Sequence, residues 1–273
     1  MKNNIALITG STDGIGKKAA ELLALKGFVV VVHGRDKGRV VQTVDSLKEL
    51  SKNPEIYGVV ADFENLQDVE KMAEEIKTNH GNINILVNNA GVFEHERKIT
   101  KDGLEKTFQV NHLAHFLLTL RLLELLKKNA PSWIINVSSM VHASSFDKNN
   151  IQGELGYDGY EAYSLSKLFN VLTTYKLARM LGKDSKVHVY AVHPGVINTK
   201  LLIKGWGPVG SDPSIGAKNI LAPLLDKKLL ELTGIYVMNG KPSESTPISY
   251  KKDIQDYLWE YSLKLLKKRG FDI

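Results

Sequence analysis

The sequence predicts an α/β fold of the doubly wound kind, with a seven-stranded, mainly parallel sheet flanked by helices and one domain spanning residues 1–273. Three observations predict it. Short apolar, β-branched runs alternate with longer segments of helical periodicity along the whole chain. The runs are nearly continuously apolar, as strands buried on both faces must be. A glycine-rich turn sits directly between the first run and the first helical segment. Strand–helix alternation of this kind builds a parallel sheet with helices packed on both faces.

The predicted strands, in order, are Ile5–Thr9, Phe28–His33, Ile56–Ala61, Ile83–Asn88, Trp133–Ser138, Val187–His193 and Gly234–Met238. Helical segments between them include Lys17–Lys26, Leu66–Thr78, His112–Lys128 and Tyr160–Leu181. Val69, Met72, Ala73 and Ile76 show the three- and four-residue spacing of a buried helix face. Two longer irregular segments, 140–159 and 194–213, follow strands. Both therefore belong at the carboxyl edge of the sheet, where open α/β folds bind ligands. They are read as the substrate loops.

Composition narrows the function classes. The chain is 43% hydrophobic and 24% charged, as in ordinary soluble domains. It has no cysteine, which excludes disulfides, thiolate catalysis and cysteine-ligated zinc. The most apolar stretch, Leu113 to Leu126, is broken by His115, Arg121 and Glu124, so no integral membrane segment is expected. Met1-Lys2-Asn3-Asn4 leads straight into a strand-like run and leaves no room for a signal peptide, which points to a cytoplasmic protein. The net charge of +6 reads as a lysine-rich solvated surface, and the basic clusters Arg35–Arg39 and Lys264–Arg269 lack interleaved aromatics, so no nucleic-acid partner is expected. His112, His115, His142 and His193 lack the companion carboxylates of a metal site, and no metal is expected. The helix His112–Lys128 is apolar over most of its circumference, so its excess face could support a homodimer or be buried within the monomer.

The first strand ends in Thr9-Gly10-Ser11-Thr12-Asp13-Gly14-Ile15-Gly16, and a helix follows at once. The glycines permit a tight turn and close backbone approach, and the helix start offers free N–H groups to a pyrophosphate. The second strand ends in His33-Gly34-Arg35-Asp36-Lys37-Gly38-Arg39. A carboxylate here would hold the ribose 2′-hydroxyl of NAD, and an arginine would hold the 2′-phosphate of NADP. Asp36 lies about 20 residues past the glycines, as an NAD ligand would. Arg35, with Lys37 and Arg39 nearby, favours NADP(H), and NAD(H) stays open. Asp62 follows the third strand, where it could simply make a turn.

Further motifs follow in order. Asn88-Asn89-Ala90-Gly91 ends the fourth strand, and Asn111 lies in Phe108-Gln109-Val110-Asn111. Ser138-Ser139 ends the fifth strand, and Tyr163-Ser164-Leu165-Ser166-Lys167 opens a helix. Pro194-Gly195-Val196, with Thr199 beyond, follows the sixth strand. Residues four apart share a helix face, which puts the Lys167 ammonium within Coulomb reach of the Tyr163 phenol. A unit charge at about 4 Å and an effective dielectric of about 20 is worth about 4 kcal/mol, or about three pKa units, downward from the usual tyrosine value of about 10. Burial acts the other way.

Together these motifs resemble the short-chain dehydrogenase/reductase family, whose cofactor loop is T-G-x-x-x-G-x-G and whose active site carries N-N-A-G, Y-x-x-x-K and P-G segments. The similarity covers essentially the whole chain. It implies a Rossmann-type fold and hydride transfer between NADP(H) and a small apolar carbonyl or alcohol substrate. Tyr163 is then the general acid/base, Lys167 its partner and the holder of the nicotinamide ribose, Ser139 the donor to the substrate oxygen, and Asn111 the anchor of a proton-relay water. Gly10 to Gly16, Arg35, Asp62, Asn89, Ala90, Gly91, Tyr163, Lys167, Pro194, Gly195, Val196 and Thr199 are the implied cofactor contacts. The family's NAD-specifying acidic residue falls where this chain has Gly34. The long interval from Ser139 to Tyr163 resembles the branch of retinol dehydrogenases and WW-domain-containing oxidoreductases, although neither the N-terminal anchor of many of those dehydrogenases nor a WW module is expected from these residues. The segment Leu201–Trp206 is expected to lie over the active site as an apolar lid or as simple loop packing. A non-catalytic dinucleotide sensor or interaction protein on the same fold is the alternative, and the presence of Ser139, Tyr163 and Lys167 together speaks against it.

Overall fold

A computed structural model describes residues 4–273. Its strands are β1 (Ile5–Ile8), β2 (Val29–Gly34), β3 (Ile56–Val60), β4 (Ile83–Asn88), β5 (Ser132–Val137), β6 (Val187–His193), β7 (Ile235–Met238) and β8 (Lys241–Ser243). They form one sheet in the order β3-β2-β1-β4-β5-β6-β7-β8. Each neighbouring pair from β3 through β7 is parallel, and β8 runs antiparallel to β7. The sheet thus has eight strands, not the expected seven. The added strand is a three-residue hairpin return containing Pro242, a residue tolerated only at such an edge.

Helices α1 (Gly14–Leu25), α2 (Lys37–Ser51) and α8 (Pro213–Leu225) cover one face. Helices α3 (Leu66–Asn79), α5 (Ala114–Lys128), α6 (Gly159–Leu181) and α9 (Lys252–Lys267) cover the other, with the one-turn α4 (Lys106–Phe108) leading into α5. The central strands are buried along their length, which explains their largely apolar sequence. The expected loop 194–213 contains a further short helix, α7 (Lys200–Trp206), started by the Thr199 hydroxyl accepting the Leu202 N–H at 3.2 Å.

The apolar circumference of α5 finds its partners within the chain. Phe116 packs edge-on against Trp259 of α9 at 4.8 Å, and His112 Nε2 meets Ser262 Oγ at 2.9 Å. Arg121 donates to the carbonyl of Asp272, tying down the C-terminus. Among the described residues, no helix is long and apolar enough to cross a membrane.

The order reversal at β1 and β4 opens a crevice at the carboxyl edge. The glycine loop, the N-N-A-G segment and both long loops meet there.

Candidate active site

The cofactor half begins at Asp13, which caps α1 by accepting the Gly14 N–H at 2.8 Å. Gly10 (φ +64°) and Gly14 (φ +52°) hold left-handed conformations. Gly16 is required by crowding: a Cβ there would lie 2.4 Å from the Gly10 carbonyl oxygen and 2.5 Å from Asn89 Nδ2. Thr9 binds this loop to the end of β4, its hydroxyl accepting from the backbone N–H groups of Asn89 (2.8 Å) and Ala90 (2.9 Å).

A cleft of about 310 Å³ runs along the loop, lined by Gly10, Thr12 to Gly16, Asn89 to Gly91 and Thr199. Arg35, Arg39 and Asp62 stand at its outer end. Ser11 departs from expectation. Its hydroxyl is wholly buried, donating to the Ile8 carbonyl at 2.7 Å and accepting from His33 N–H at 2.9 Å. It braces β1 against β2 and does not face the cleft. His33 accepts the Gly10 N–H at Nδ1 (3.0 Å) and stacks on Phe63 at 4.6 Å. Burial pushes His33 down to about 4, so it remains a neutral acceptor.

The basic residues at the outer end are paired. Arg35 meets Glu64 at 3.3 Å, and Arg39 meets Asp13 at 3.0 Å. Asp13 also meets Lys200 of α7 at 2.6 Å, so one carboxylate joins the loop, α2 and α7. Lys200 first, then the capped Gly14 N–H and Arg39, hold the Asp13 carboxyl below its usual range. Asp36 is spent on capping α2, accepting the Arg39 N–H at 2.8 Å. Asp62 caps a turn, accepting the Glu64 N–H at 3.1 Å, while still lining the cleft. The Asp13–Lys200 link carries no signal in local spacing.

The cleft continues into a second pocket of about 270 Å³, and Ile15, Asn89, Gly91, Thr199 and Leu201 line both. Ser139, Tyr163, Lys167, Pro194, Gly195 and Val196 line the second pocket, with Met140, Val141, Leu202, Trp206 and Val209 supplying an apolar wall. Ser138 also lines this pocket, but its hydroxyl donates inward to the Lys167 carbonyl at 2.8 Å. Helix α6 carries Tyr163 and Lys167 inward on its first turns, capped by Asp158, which accepts the Glu161 N–H at 2.8 Å. Gly159 lets this helix start touch the Glu94 carbonyl, where a Cβ would sit at 2.4 Å.

Lys167 Nζ lies 5.4 Å from the Tyr163 ring centroid and donates to the Val137 carbonyl at 3.2 Å. Burial lowers Lys167 to about 8. Burial also raises the Tyr163 phenol above its usual value, opposed by its contact with the Ser139 hydroxyl. The downward shift expected from the lysine is therefore reversed, because desolvation of the phenolate outweighs an ammonium turned toward a backbone carbonyl.

Asn111 lies in a π-helical turn, Gln109–Leu113, a local widening frequent at functional sites. Its amide makes three hydrogen bonds: Oδ1 accepts the Val92 N–H (2.7 Å), and Nδ2 donates to the Val92 carbonyl (2.9 Å) and Ser166 Oγ (3.0 Å). The side chain thus fixes the segment after Gly91, whose Cβ position is 3.4 Å from Asn111 Oδ1 and 3.7 Å from Lys167 Nζ.

Helix α7 closes the pocket. Trp206 lies 5.4 Å from Tyr163, 5.2 Å from Phe93 and 5.4 Å from Tyr160, between ring centroids. The Tyr160 hydroxyl donates to the Gly205 carbonyl at 2.6 Å, and Lys204 meets Glu94 at 2.7 Å. Glu94 also meets Lys98 and Lys106, and these ammonium groups bring its carboxyl down to about 2 despite burial.

Residues 4–206 match the family model described as short chain dehydrogenase. Retinol dehydrogenase 11 of Mus musculus is 37% identical, over 97% of this chain and 87% of its own length. Polyprenol dehydrogenase of Homo sapiens is 30% identical, over 96% and 85%. The crystal structure of 3-ketoacyl-(acyl-carrier-protein) reductase from Brucella melitensis, complexed with NADH, superposes with a TM-score of 0.68 at 25% identity, covering 86% of this chain and 96% of that one. The glycine loop on α1, the tyrosine–lysine pair on α6 and these likenesses agree, and the chain belongs to the short-chain dehydrogenase/reductase family, in its retinol dehydrogenase-like branch.

Proposed function

We propose that the protein transfers a hydride between NADP(H) and an apolar carbonyl or alcohol, with Tyr163 as general acid/base. One observation carries this reading: Tyr163, Ser139 and Lys167 converge in an apolar pocket continuous with the glycine-loop cleft. A bound dinucleotide would supply or accept the hydride. The α1 N-terminus and the Gly10–Gly16 backbone would hold its pyrophosphate, and Lys167 and Asn89 to Gly91 would hold its nicotinamide ribose. Ser139 donates a hydrogen bond to the substrate oxygen and supports charge developing there. The raised Tyr163 phenol keeps its proton at neutral pH and delivers it to that oxygen, which suits carbonyl reduction. Asn111 holds the Val92 backbone beside Lys167, on the path by which the phenol is reprotonated.

Two features support NADP(H). A side chain at Gly34 would meet Thr12 Cγ2 at 2.6 Å, which disfavours an acidic residue there. Arg35 and Arg39 reach the cleft end, where a 2′-phosphate would compete with Glu64 and Asp13 for them. A charge-assisted hydrogen bond is worth about 1.5–3 kcal/mol. Arg35→Ala is therefore expected to weaken NADPH binding about 10- to 100-fold and NADH binding hardly at all. Equal losses in a titration of both dinucleotides would overturn the assignment.

The substrate wall is aliphatic and aromatic, in keeping with relatives named for retinol and polyprenol. We place long apolar aldehydes and alcohols first. Trp206→Ala is expected to raise KM for a long-chain aldehyde about tenfold or more, from a loss of about 1–3 kcal/mol of apolar contact. KM for a short aldehyde should change little. A uniform change across chain lengths would show that Trp206 only packs α7.

A further inference from the structure

The peptide after Ser139 is gripped by two histidines that the chemistry above does not use. Met140 N–H donates to His193 Nδ1 at 3.1 Å. The Ser139 carbonyl accepts from His142 Nδ1 at 2.6 Å and from the Tyr236 hydroxyl at 3.2 Å. His142 Nε2 in turn accepts the Thr246 N–H at 3.0 Å, which places the ring proton on Nδ1. The Thr246 hydroxyl donates to the Ala143 carbonyl at 3.1 Å, so the segment after β8 holds this turn twice. The His142 ring packs against Tyr236 at 5.0 Å. Burial keeps both imidazoles neutral, with His193 brought down to about 4 and His142 also lowered.

By contrast, the Ser139 side chain is loosely held. Its hydroxyl accepts the Val141 N–H at 3.3 Å and faces the Tyr163 phenol. The backbone that carries it sets the point from which that hydroxyl reaches the pocket.

We propose that His142 is the positioning residue for Ser139: its Nδ1–H fixes the Ser139 carbonyl, aims the Ser139 hydroxyl at the substrate oxygen, and ties that aim to the segment at Thr246. His193 completes the grip on the same peptide. The proposal rests on the assignment of Ser139 as the donor to the substrate oxygen. Displacement of a reacting group by about 1 Å can cost about 100-fold in rate.

The two ring nitrogens can be tested separately. In His142→Asn the carboxamide reaches the Nδ1 position and can still donate to the Ser139 carbonyl. In His142→Gln it reaches the Nε2 position and can still accept from Thr246. With NADPH and a long-chain aldehyde, His142→Gln is expected to lower kcat about 10- to 100-fold. His142→Asn should stay within about threefold of wild type, and NADPH affinity should hold in both. In a Ser139→Ala background, adding His142→Gln should cost almost nothing further, because residues acting as one unit are non-additive. Retention by Gln with loss in Asn, or full additivity with Ser139→Ala, would overturn the proposal. If His142→Gln does not fold, His193→Asn against His193→Gln reads the same peptide from its other side, with only Asn keeping the acceptor for Met140. Wild-type protein that binds NADPH but turns over no carbonyl would instead overturn the function on which the proposal rests.

Discussion

Tyr163→Phe should lower turnover about 100- to 10,000-fold, the usual range for loss of a positioned general acid/base, with dinucleotide affinity nearly unchanged. The residue is 7% exposed, and its ring packs against Phe93 and Trp206, contacts that Phe retains. Only the hydroxyl is lost, with its contact to Ser139. The same site predicts a pH dependence. Lys167, held at about 8, is charged below that pH and neutral above it. Its charge favours the phenolate left after proton delivery, so kcat/KM for reduction should fall as pH rises through about 8. A Lys167→Met variant should lose that limb of the profile. A limb that persists in Lys167→Met would assign it to another group.

Gly16→Ala should have the largest effect on the cofactor half. The new methyl would fall inside contact distance of the Gly10 carbonyl and of Asn89 Nδ2. That nitrogen donates to the carbonyls of Thr9 (2.8 Å) and Gly10 (3.3 Å), so relief of the clash would break the joint between β1 and β4. Overpacking of this kind costs about 1–3 kcal/mol of stability. Dinucleotide affinity should fall at least about 100-fold, because the displaced backbone is the pyrophosphate cradle. Gly27→Ala is the control. Gly27 has φ +78° with nothing near its Cβ position, so it should cost stability, about 1 kcal/mol, without changing affinity. Dinucleotide titration and thermal unfolding of both variants separate the two effects.

The sequence made the parallel strands legible because burial on both faces leaves runs such as Val29 to Val32 and Ile85 to Val87 without polar interruption. Strand β8 was not legible, since Lys241-Pro242-Ser243 carries no apolar alternation and pairs only by lying beside β7. The four-residue spacing put Tyr163 and Lys167 on one helix face, and only the companion motifs singled the pair out as a candidate site. The sign of the tyrosine shift was not legible, because it depends on burial and on the Lys167 ammonium turning to Val137. Spacing also identified the glycine loop but not the direction of each side chain in it. Ser11 and Asp36 turned to structural hydrogen bonds, while Asp13 gathered Arg39 and Lys200 from distant elements. The histidines at 142 and 193 were not singled out as a pair, since the contacts that tie them to Thr246 and Met140 join distant segments of the fold.

The central claim is tested most directly by mixing the wild-type protein with NADPH and a long-chain apolar aldehyde, and measuring NADPH absorbance and alcohol product together. The account predicts one alcohol formed for each NADPH oxidised, and almost no reaction in Tyr163→Phe that still binds NADPH. Binding of NADPH without oxidation across a broad panel of carbonyls, or wild-type rates in Tyr163→Phe, would contradict it.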